Sequence, residues 1–138
     1  MTFLLDTNVI SELRRPERAT PAVVKWVGAQ AEDALFCSVV SILELETGAL
    51  RTLRHDDLQG TMLRSWIDEK VLPRFGGKII SIDTAIALKC ASLHVPNPRS
   101  DRDAFIAATA LVHGLTVVTR NTRDFEPTGV KLFNPWLD

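Results

Sequence analysis

Short apolar runs alternate with longer segments of mixed polarity along the chain, which predicts strands and helices in alternation. Runs of strand length cover residues 2–5, 35–37, 78–82, 116–118 and 130–132. Strands separated by helices pair in parallel, and the helices then cover both faces of the sheet. The pattern therefore predicts an α/β fold, a three-layer α/β/α sandwich with a central, mostly parallel sheet of about five strands.

Helix signals fill the segments between these strands. The predicted helices span residues 9–13, 21–31, 41–54, 56 or 58 to 71, 83–93 and 101–112. Pro21 suits the first turn of its helix, and Gly114 is placed to end the last helix in the left-handed conformation. No repeat, low-complexity tract or linker divides the chain, so residues 1–138 are predicted to form a single domain.

Polar residues cluster where ligands of open parallel sheets bind, at the carboxyl ends of the strands. Three acids and one amide are expected at this edge, because they follow a strand or begin a neighbouring helix. Like charges gathered there repel one another, and a bound divalent cation reverses that cost. Oxygen ligands favour Mg²⁺ or Mn²⁺ over zinc, and such a metal suits phosphodiester hydrolysis by an activated water. With their polar neighbours, the residues near this edge are Asp6, Asn8, Glu44, Asp103, Thr119, Arg120, Asn121 and Asp124.

Helix capping offers a second interpretation of some of these residues. Ser41 and Glu44 have the spacing of a capping box, and Ser100 and Asp103 resemble another. Asn8 could cap the first helix.

Turn formation similarly explains Asn121 and Asp124, which lie in a polar segment before Pro127. Neither capping nor turns explain why the acids converge on one edge of one sheet. Both also leave Asp6 without an obvious structural partner.

Composition and charge narrow the class of protein. Apolar residues make up 46% and charged residues 24% of the chain, as in soluble globular proteins, and the net charge of −1 gives no overall basic field. Eleven of the 16 basic residues are arginines, several in local pairs such as Arg14 and Arg15, which suit phosphate but also solvated helix faces. Cys37 and Cys90 are expected to be buried reduced thiols.

The length of the apolar stretches indicates where the protein is located. The apolar stretches are too short to span a bilayer, and Asp6 interrupts the first one too early for a signal peptide. We therefore expect a cytoplasmic protein without membrane contact.

The sequence lacks the motifs of several other kinds of active site. The three histidines share no metal-ligand spacing, and neither a phosphate-binding glycine loop after a strand nor a GxSxG motif is present. A phosphatase of the haloacid dehalogenase type needs a second aspartate two positions after Asp6, where Asn8 stands, and a receiver domain lacks its acidic pocket after Ile82. Trp136 is expected to pack against the domain rather than to stack on a base.

Four blocks resemble the signatures of PIN-domain ribonucleases. They are LLDTNVISE at 4–12, SILELETG at 41–48, DAFIAATA at 103–110 and VVTRNTRDF at 117–125. The match is closest to the VapC toxins of bacterial toxin–antitoxin pairs, and KLFNPW at 131–136 is similar to the FitB-like branch. The resemblance covers essentially the whole chain.

The resemblance implies a metal-dependent endoribonuclease, the toxin of a type II toxin–antitoxin pair. By position, Asp6, Asp103 and Glu44 match metal ligands, and Asn121 matches a fourth position that is an acid in many relatives, for which Asp124 is an alternative. Asn8 and Thr119 match polar residues that orient the acids or a water. Arg120 and Arg99 are expected to hold flanking phosphates.

The expected partners are an RNA substrate, a VapB-like antitoxin and a second copy of the chain. The alternative is a non-catalytic PIN-like module that binds RNA or protein.

Overall fold

The computed structural model describes residues 1–137, and within them five parallel strands form one sheet. The strands are β1 (Phe3–Leu5), β2 (Leu35–Ser38), β3 (Ile79–Ile80), β4 (Thr116–Val118) and β5 (Leu132–Phe133). Their order across the sheet is β3-β2-β1-β4-β5. All four strand pairs are parallel. The predicted parallel α/β sheet is therefore confirmed.

Eight α-helices in residues 1–137 connect these strands. They are α1 (Thr7–Glu12), α2 (Pro21–Ala29), α3 (Val39–Leu53), α4 (Asp57–Trp66), α5 (Leu72–Arg74), α6 (Thr84–Leu93), α7 (Asp101–His113) and α8 (Thr122–Phe125). A π-helical turn at Ile67–Val71 joins α4 to α5, and short 3₁₀ turns span Glu32–Ala34, Glu126–Thr128 and Pro135–Leu137. No helix within residues 1–137 has the length and apolar character to cross a membrane.

The core has two main parts because successive strand residues face opposite sides of the sheet. Phe3 and Leu5 pack with α1 to α4 and with the π-helical turn on one face. Leu4 packs with α7 and Phe125 on the other face. Leu4 and Leu5 are both 0% exposed, and each contributes about 1.5–3 kcal/mol by burial. The sheet is thus covered on both sides, which completes the predicted three layers.

The strand order changes direction at β1, and this fixes where a ligand can bind. The chain proceeds from β1 to β2 and β3 on one side, then returns to β4 and β5 on the other. Asp6 N donates to Val118 O at 2.9 Å, so the ends of β1 and β4 are held together. In open parallel sheets the crevice at such a switch point is the usual ligand site.

The predicted element bounds are mostly confirmed, with shifts at the ends. β4 lies where predicted and Gly114 ends α7 with φ 69°, as expected. β3 is shorter than the predicted 78–82, β5 is displaced by two residues, and the segment after β4 contains α8, which was not predicted. Cys37 and Cys90 are both free and buried, as predicted.

Two of the three predicted N-terminal caps, at Asn8 and Ser41, were wrong, and the third, Ser100, has the predicted position without its hydrogen bond. Asp6, not Asn8, caps α1, because its carboxylate directly precedes the helix and accepts from Thr7 N. Ser38, not Ser41, caps α3: the helix begins at the end of β2, and Val40 N donates to Ser38 Oγ at 3.0 Å.

The second proposed capping box also fails. Ser100 is the N-cap residue of α7, but its side chain makes no capping hydrogen bond. The acid of each supposed box, Glu44 or Asp103, is therefore free for another role.

Candidate active site

Asp6 is held at the end of β1 and is only 6% exposed. Its Oδ1 accepts from Thr7 N at 2.8 Å, and its Oδ2 accepts from the Thr119 hydroxyl at 2.8 Å. Asn8 Nδ2 lies 3.4 Å from Oδ2. Burial, the largest influence, raises the pKa of Asp6, while the hydrogen bonds from Thr119 and Thr7 oppose that rise.

A small polar network connects the segments after β1 and β4. Thr119 Oγ1 accepts from Asn8 Nδ2 at 3.2 Å and from Asn121 N at 3.0 Å. Asn8 Oδ1 accepts from Arg120 N at 3.3 Å. Asp6 is thus surrounded by side chains that fix the orientation of its carboxylate.

Glu44 lies in the second turn of α3, one turn deeper than predicted. The Thr7 hydroxyl donates to Glu44 Oε1 at 2.7 Å, and Ser41 Oγ is 2.9 Å from the same hydroxyl. Arg102 Nη1 lies 3.7 Å from Glu44 Oε2. Thr7, the residue after Asp6, therefore links α1 to the acid on α3.

Asp103 lies in the first turn of α7, as predicted. Burial raises its pKa to about 6, and the charges of Asp6, Asp124 and Glu44 contribute in that order. The four carboxylates come from four different elements, yet the charges of the other three raise the pKa of Asp103.

Asn121 and Asp124 have different positions relative to the acids. Asn121 occupies the N-cap position of α8 and lines the same cavity as Asp6, but its side chain makes no capping hydrogen bond. Asp124 lies in the first turn of α8, and its charge raises the pKa of both Asp6 and Asp103. A fourth carboxylate therefore approaches the site from α8.

Six of the predicted site residues line an open cavity of about 480 Å³ at the switch point of the sheet, whereas Thr119 and Asp124 do not line it. Its lining residues are Asp6, Thr7, Asn8, Ser11, Glu12, Glu44, Asp103, Arg120, Asn121 and Trp136.

Arg99, expected to hold a phosphate, is placed elsewhere. Its Nε donates to Leu93 O at 2.6 Å, and this hydrogen bond stabilises the loop before α7.

Sequence reasoning missed several polar residues at this cavity, above all Thr7, Glu12 and Ser41. Thr7 stands directly after Asp6, and Ser41 precedes Glu44 by one helical turn, so both spacings could have indicated shared contacts. Glu12 gave no such signal, because its Oε2 accepts from Thr20 N at 2.6 Å across a loop.

Arg120 and Trp136 form the non-acidic wall of the cavity. Arg120 Cζ lies 5.4 Å from the centre of the Trp136 ring, within the range of cation–π contacts. Trp136 also packs against the core, as predicted, and its Nε1 is the one buried side-chain nitrogen or oxygen within residues 1–137 that has no hydrogen-bond partner.

The donor chemistry of the site suits a hard divalent cation. The four acids offer oxygen ligands, and their mutual repulsion favours a bound positive charge. Within residues 1–137, however, no three histidine, cysteine or carboxylate side chains are already arranged to hold a metal ion. Metal binding at these acids therefore requires side-chain movement toward a common point.

Comparison with known proteins agrees with this arrangement. The family model for the PIN domain matches residues 3–130. Plasmid stability protein StbB of Pseudomonas syringae pv. tomato is 37% identical, covering 97% of this chain and 98% of its own. VapC ribonuclease Y4jK of Sinorhizobium fredii is 34% identical, with 97% of both chains covered.

A solved structure agrees over the whole fold. The crystal structure of FitAcB from Neisseria gonorrhoeae superposes with a TM-score of 0.87 at 34% identity, covering 98% of this chain and 99% of that one. The resemblance noted in the sequence is thereby confirmed, and the chain belongs to the PIN domain family, among the VapC and FitB relatives.

Proposed function

We propose that residues 1–138 act as a single PIN domain that cleaves RNA with Mg²⁺ or Mn²⁺, as the toxin of a type II toxin–antitoxin pair. One observation carries this proposal: Asp6, Glu44 and Asp103, from separate elements, line one cavity at the switch point of the sheet, and the charge of Asp124 also raises the pKa of Asp6 and Asp103. Clustered acids repel one another and cost stability, and within residues 1–137 only Arg102 pairs with one of them, so their presence at a ligand-binding position indicates a cationic partner. The names of the relatives, VapC ribonuclease and toxin, supply the reaction class.

The metal would be held by Asp6, Glu44 and Asp103. For the fourth position, Asn121 lines the cavity with a neutral amide, whereas Asp124 offers a carboxylate that lies outside the cavity lining. When bound, such a cation lowers the pKa of a water and offsets the negative charge that develops on the phosphate. Asn8 and Thr119 keep the Asp6 carboxylate in one orientation through the contacts described above. A strand end fixes this position more firmly than a loop would.

Arg120 holds a phosphate of the substrate at the cavity wall. It is exposed, and among the lining residues of the acidic cavity it is the only arginine or lysine. Its contact with Trp136 restricts the guanidinium, so that less side-chain entropy is lost when a phosphate binds.

A VapB-like antitoxin is the proposed protein partner. An apolar groove of about 480 Å³ runs beside α1 and the π-helical turn, and Ile10, Leu13, Trp66 and Phe75 line it. Because α1 borders both this groove and the acidic cavity, a segment of the antitoxin bound in the groove would extend to the acids. The homodimer and the cytoplasmic location remain predictions.

The competing proposal is a PIN-like module that binds RNA or protein without cleaving it. The two are separated by incubating labelled cellular RNA with the pure protein, with Mg²⁺ or with a chelator. We expect cleavage with Mg²⁺, none with the chelator, and nearly complete loss in Asp6→Asn. Asp56→Asn is the matched control, because Asp56 caps α4 as Asp6 caps α1 but lies outside the cavity lining. RNA binding without cleavage by the wild-type protein would support the module instead.

A further inference from the structure

Three arginines of the segment that follows α1 line a small cavity of about 200 Å³. They are Arg14, Arg15 and Arg18. Within residues 1–137 none of them forms an ion pair with a carboxylate, whereas Arg64, Arg74 and Arg102 each do. The C-terminal end of α1 carries only about half a negative charge, which is too little to balance three guanidinium groups.

These like charges are crowded rather than spread over the surface. Arg14 and Arg15 are partly buried, while Arg18 is exposed. Burial is the main cause that lowers the pKa of Arg14, and the charge of Arg15 adds to it. An unbalanced group of arginines around a cavity is a favourable environment for an anion.

The arginine cavity adjoins the acidic one. Ser11 and Glu12 line both cavities, so the two meet along α1. Glu12 lines the arginine cavity but forms no ion pair with the arginines within residues 1–137, and its Oε2 accepts from Thr20 N at 2.6 Å. The charge of Arg120, on the other side of Glu12, helps to lower the pKa of that carboxyl. Positive side chains therefore lie on both sides of Glu12.

We propose that Arg14, Arg15 and Arg18 form a binding site for backbone phosphates of the RNA strand, next to the position where the strand is cut. This site rests on the proposed ribonuclease function, because it holds the continuation of the same substrate. Guanidinium groups bind phosphate oxygens in pairs, and they do so without regard to base sequence. The arginines therefore determine the length of RNA that is bound, not the sequence that is cut. The strand passes from Arg120 over the acids and past Glu12 to the arginine cavity.

The test compares Arg15→Gln/Arg18→Gln with Arg51→Gln/Arg54→Gln. The control pair has the same spacing and lies at the C-terminal end of α3, but it lines neither cavity. With a labelled single-stranded RNA of about 12 nucleotides, anisotropy should show affinity reduced about tenfold in the test variant, against less than about twofold in the control. The slope of log affinity against log salt should become shallower by about 1.4, for two lost phosphate contacts on a single strand.

Cleavage of two substrates separates this site from the catalytic centre. A dinucleotide has a single phosphate, the one that is cut, and offers none to the arginines, so kcat/KM for it should be the same in both double variants and the wild type. For the longer RNA, KM should rise about tenfold in the test variant with kcat within about threefold. Equal losses in both double variants, or the same loss on the dinucleotide, would overturn the proposal.

Two further outcomes are also decisive. If the double variant binds RNA normally but loses affinity for the cognate antitoxin, the arginines contact that protein and the proposal is wrong. If the wild-type protein binds but does not cut RNA, the ribonuclease function fails, while the anisotropy comparison still tests the phosphate site.

Discussion

The hydroxyl of Thr119 donates to Asp6 Oδ2 at 2.8 Å, which joins two residues that lie 113 positions apart in the chain. Both are buried, with Thr119 at 0% exposure, and each follows a central strand of the sheet. A buried carboxylate needs such donors, because an unsatisfied charged group is costly. The bond therefore serves the orientation of Asp6 as well as the stability of the fold.

Thr119→Val should separate these two contributions. The substitution keeps the shape but removes the donor, so we expect kcat/KM to fall about 10–100-fold and stability to fall by about 1–2 kcal/mol. Thr109→Val is the matched control, because Thr109 is also 0% exposed and donates to Phe105 O at 2.7 Å within α7. Cleavage rates and urea unfolding measure the two effects. Equal losses of activity in both variants would mean that Thr119 acts through stability alone.

The raised pKa of Asp103 predicts how the stability of the metal-free protein depends on pH. Its pKa is about 6 in the folded protein, against about 4 in an unfolded chain, so the folded state holds the proton more tightly. The free energy of unfolding should therefore fall by about 1–2 kcal/mol as pH rises from about 4 to 6, after allowance for solvent screening.

Asp103→Asn should remove this decline and make the metal-free protein more stable near neutral pH. Asp57→Asn, in the first turn of α4 and without an ion pair within residues 1–137, is the control and should retain the decline. Urea unfolding at several pH values in the presence of a chelator measures both. A slope that is unchanged in Asp103→Asn would contradict the origin assigned to it.

The fourth acid can be assigned by metal affinity. Asp124 interacts electrostatically with Asp6 and Asp103, so Asp124→Asn should weaken Mn²⁺ binding about tenfold. Asn121→Ala should change it by less than about threefold, because a neutral amide contributes little to holding a hard dication. Calorimetric titration with Mn²⁺ gives both affinities. The reverse order would return the fourth position to Asn121.

Trp136 offers a pair of substitutions that separate ring contact from stability. Trp136→Phe keeps an aromatic face under Arg120 and removes the buried Nε1 that lacks a partner, so activity should be retained and stability unchanged or higher by about 1 kcal/mol. Trp136→Leu removes the face, so KM for RNA should rise about fivefold while kcat changes little. If the two variants show the same KM, the aromatic face does not position Arg120.

The approximate strand positions and the main acids could be predicted because both depend on local patterns. The apolar run before Asp6 and the helix signal around Asp103 are readable within about ten residues, and parallel strands bring their ends to one edge. The bounds of β3 and β5 were less accurate, because strands of two residues are defined by pairing with a neighbour rather than by their own composition.

Contacts between distant segments could not be predicted in the same way. Ser41 and Glu44 matched a local capping pattern, yet the helix begins earlier because Ser38 ends β2 and caps it, so that both residues instead face Thr7. The influence of Asp124 on Asp6 and Asp103 depends on α8, a helix of four residues for which the sequence carries no clear period. The spacing of residues along the chain therefore does not predict which distant segments contact one another.

The four interacting carboxylates come from the end of β1 and from α3, α7 and α8, so they span positions 6 to 124 of the chain. During synthesis, domains fold only as their segments become available. A ribosome that has made the first hundred residues therefore carries Asp6 and Glu44, but neither the strand that supplies Thr119 nor the helix that supplies Asp124. It follows that the acidic site can assemble only when synthesis of the polypeptide is nearly complete.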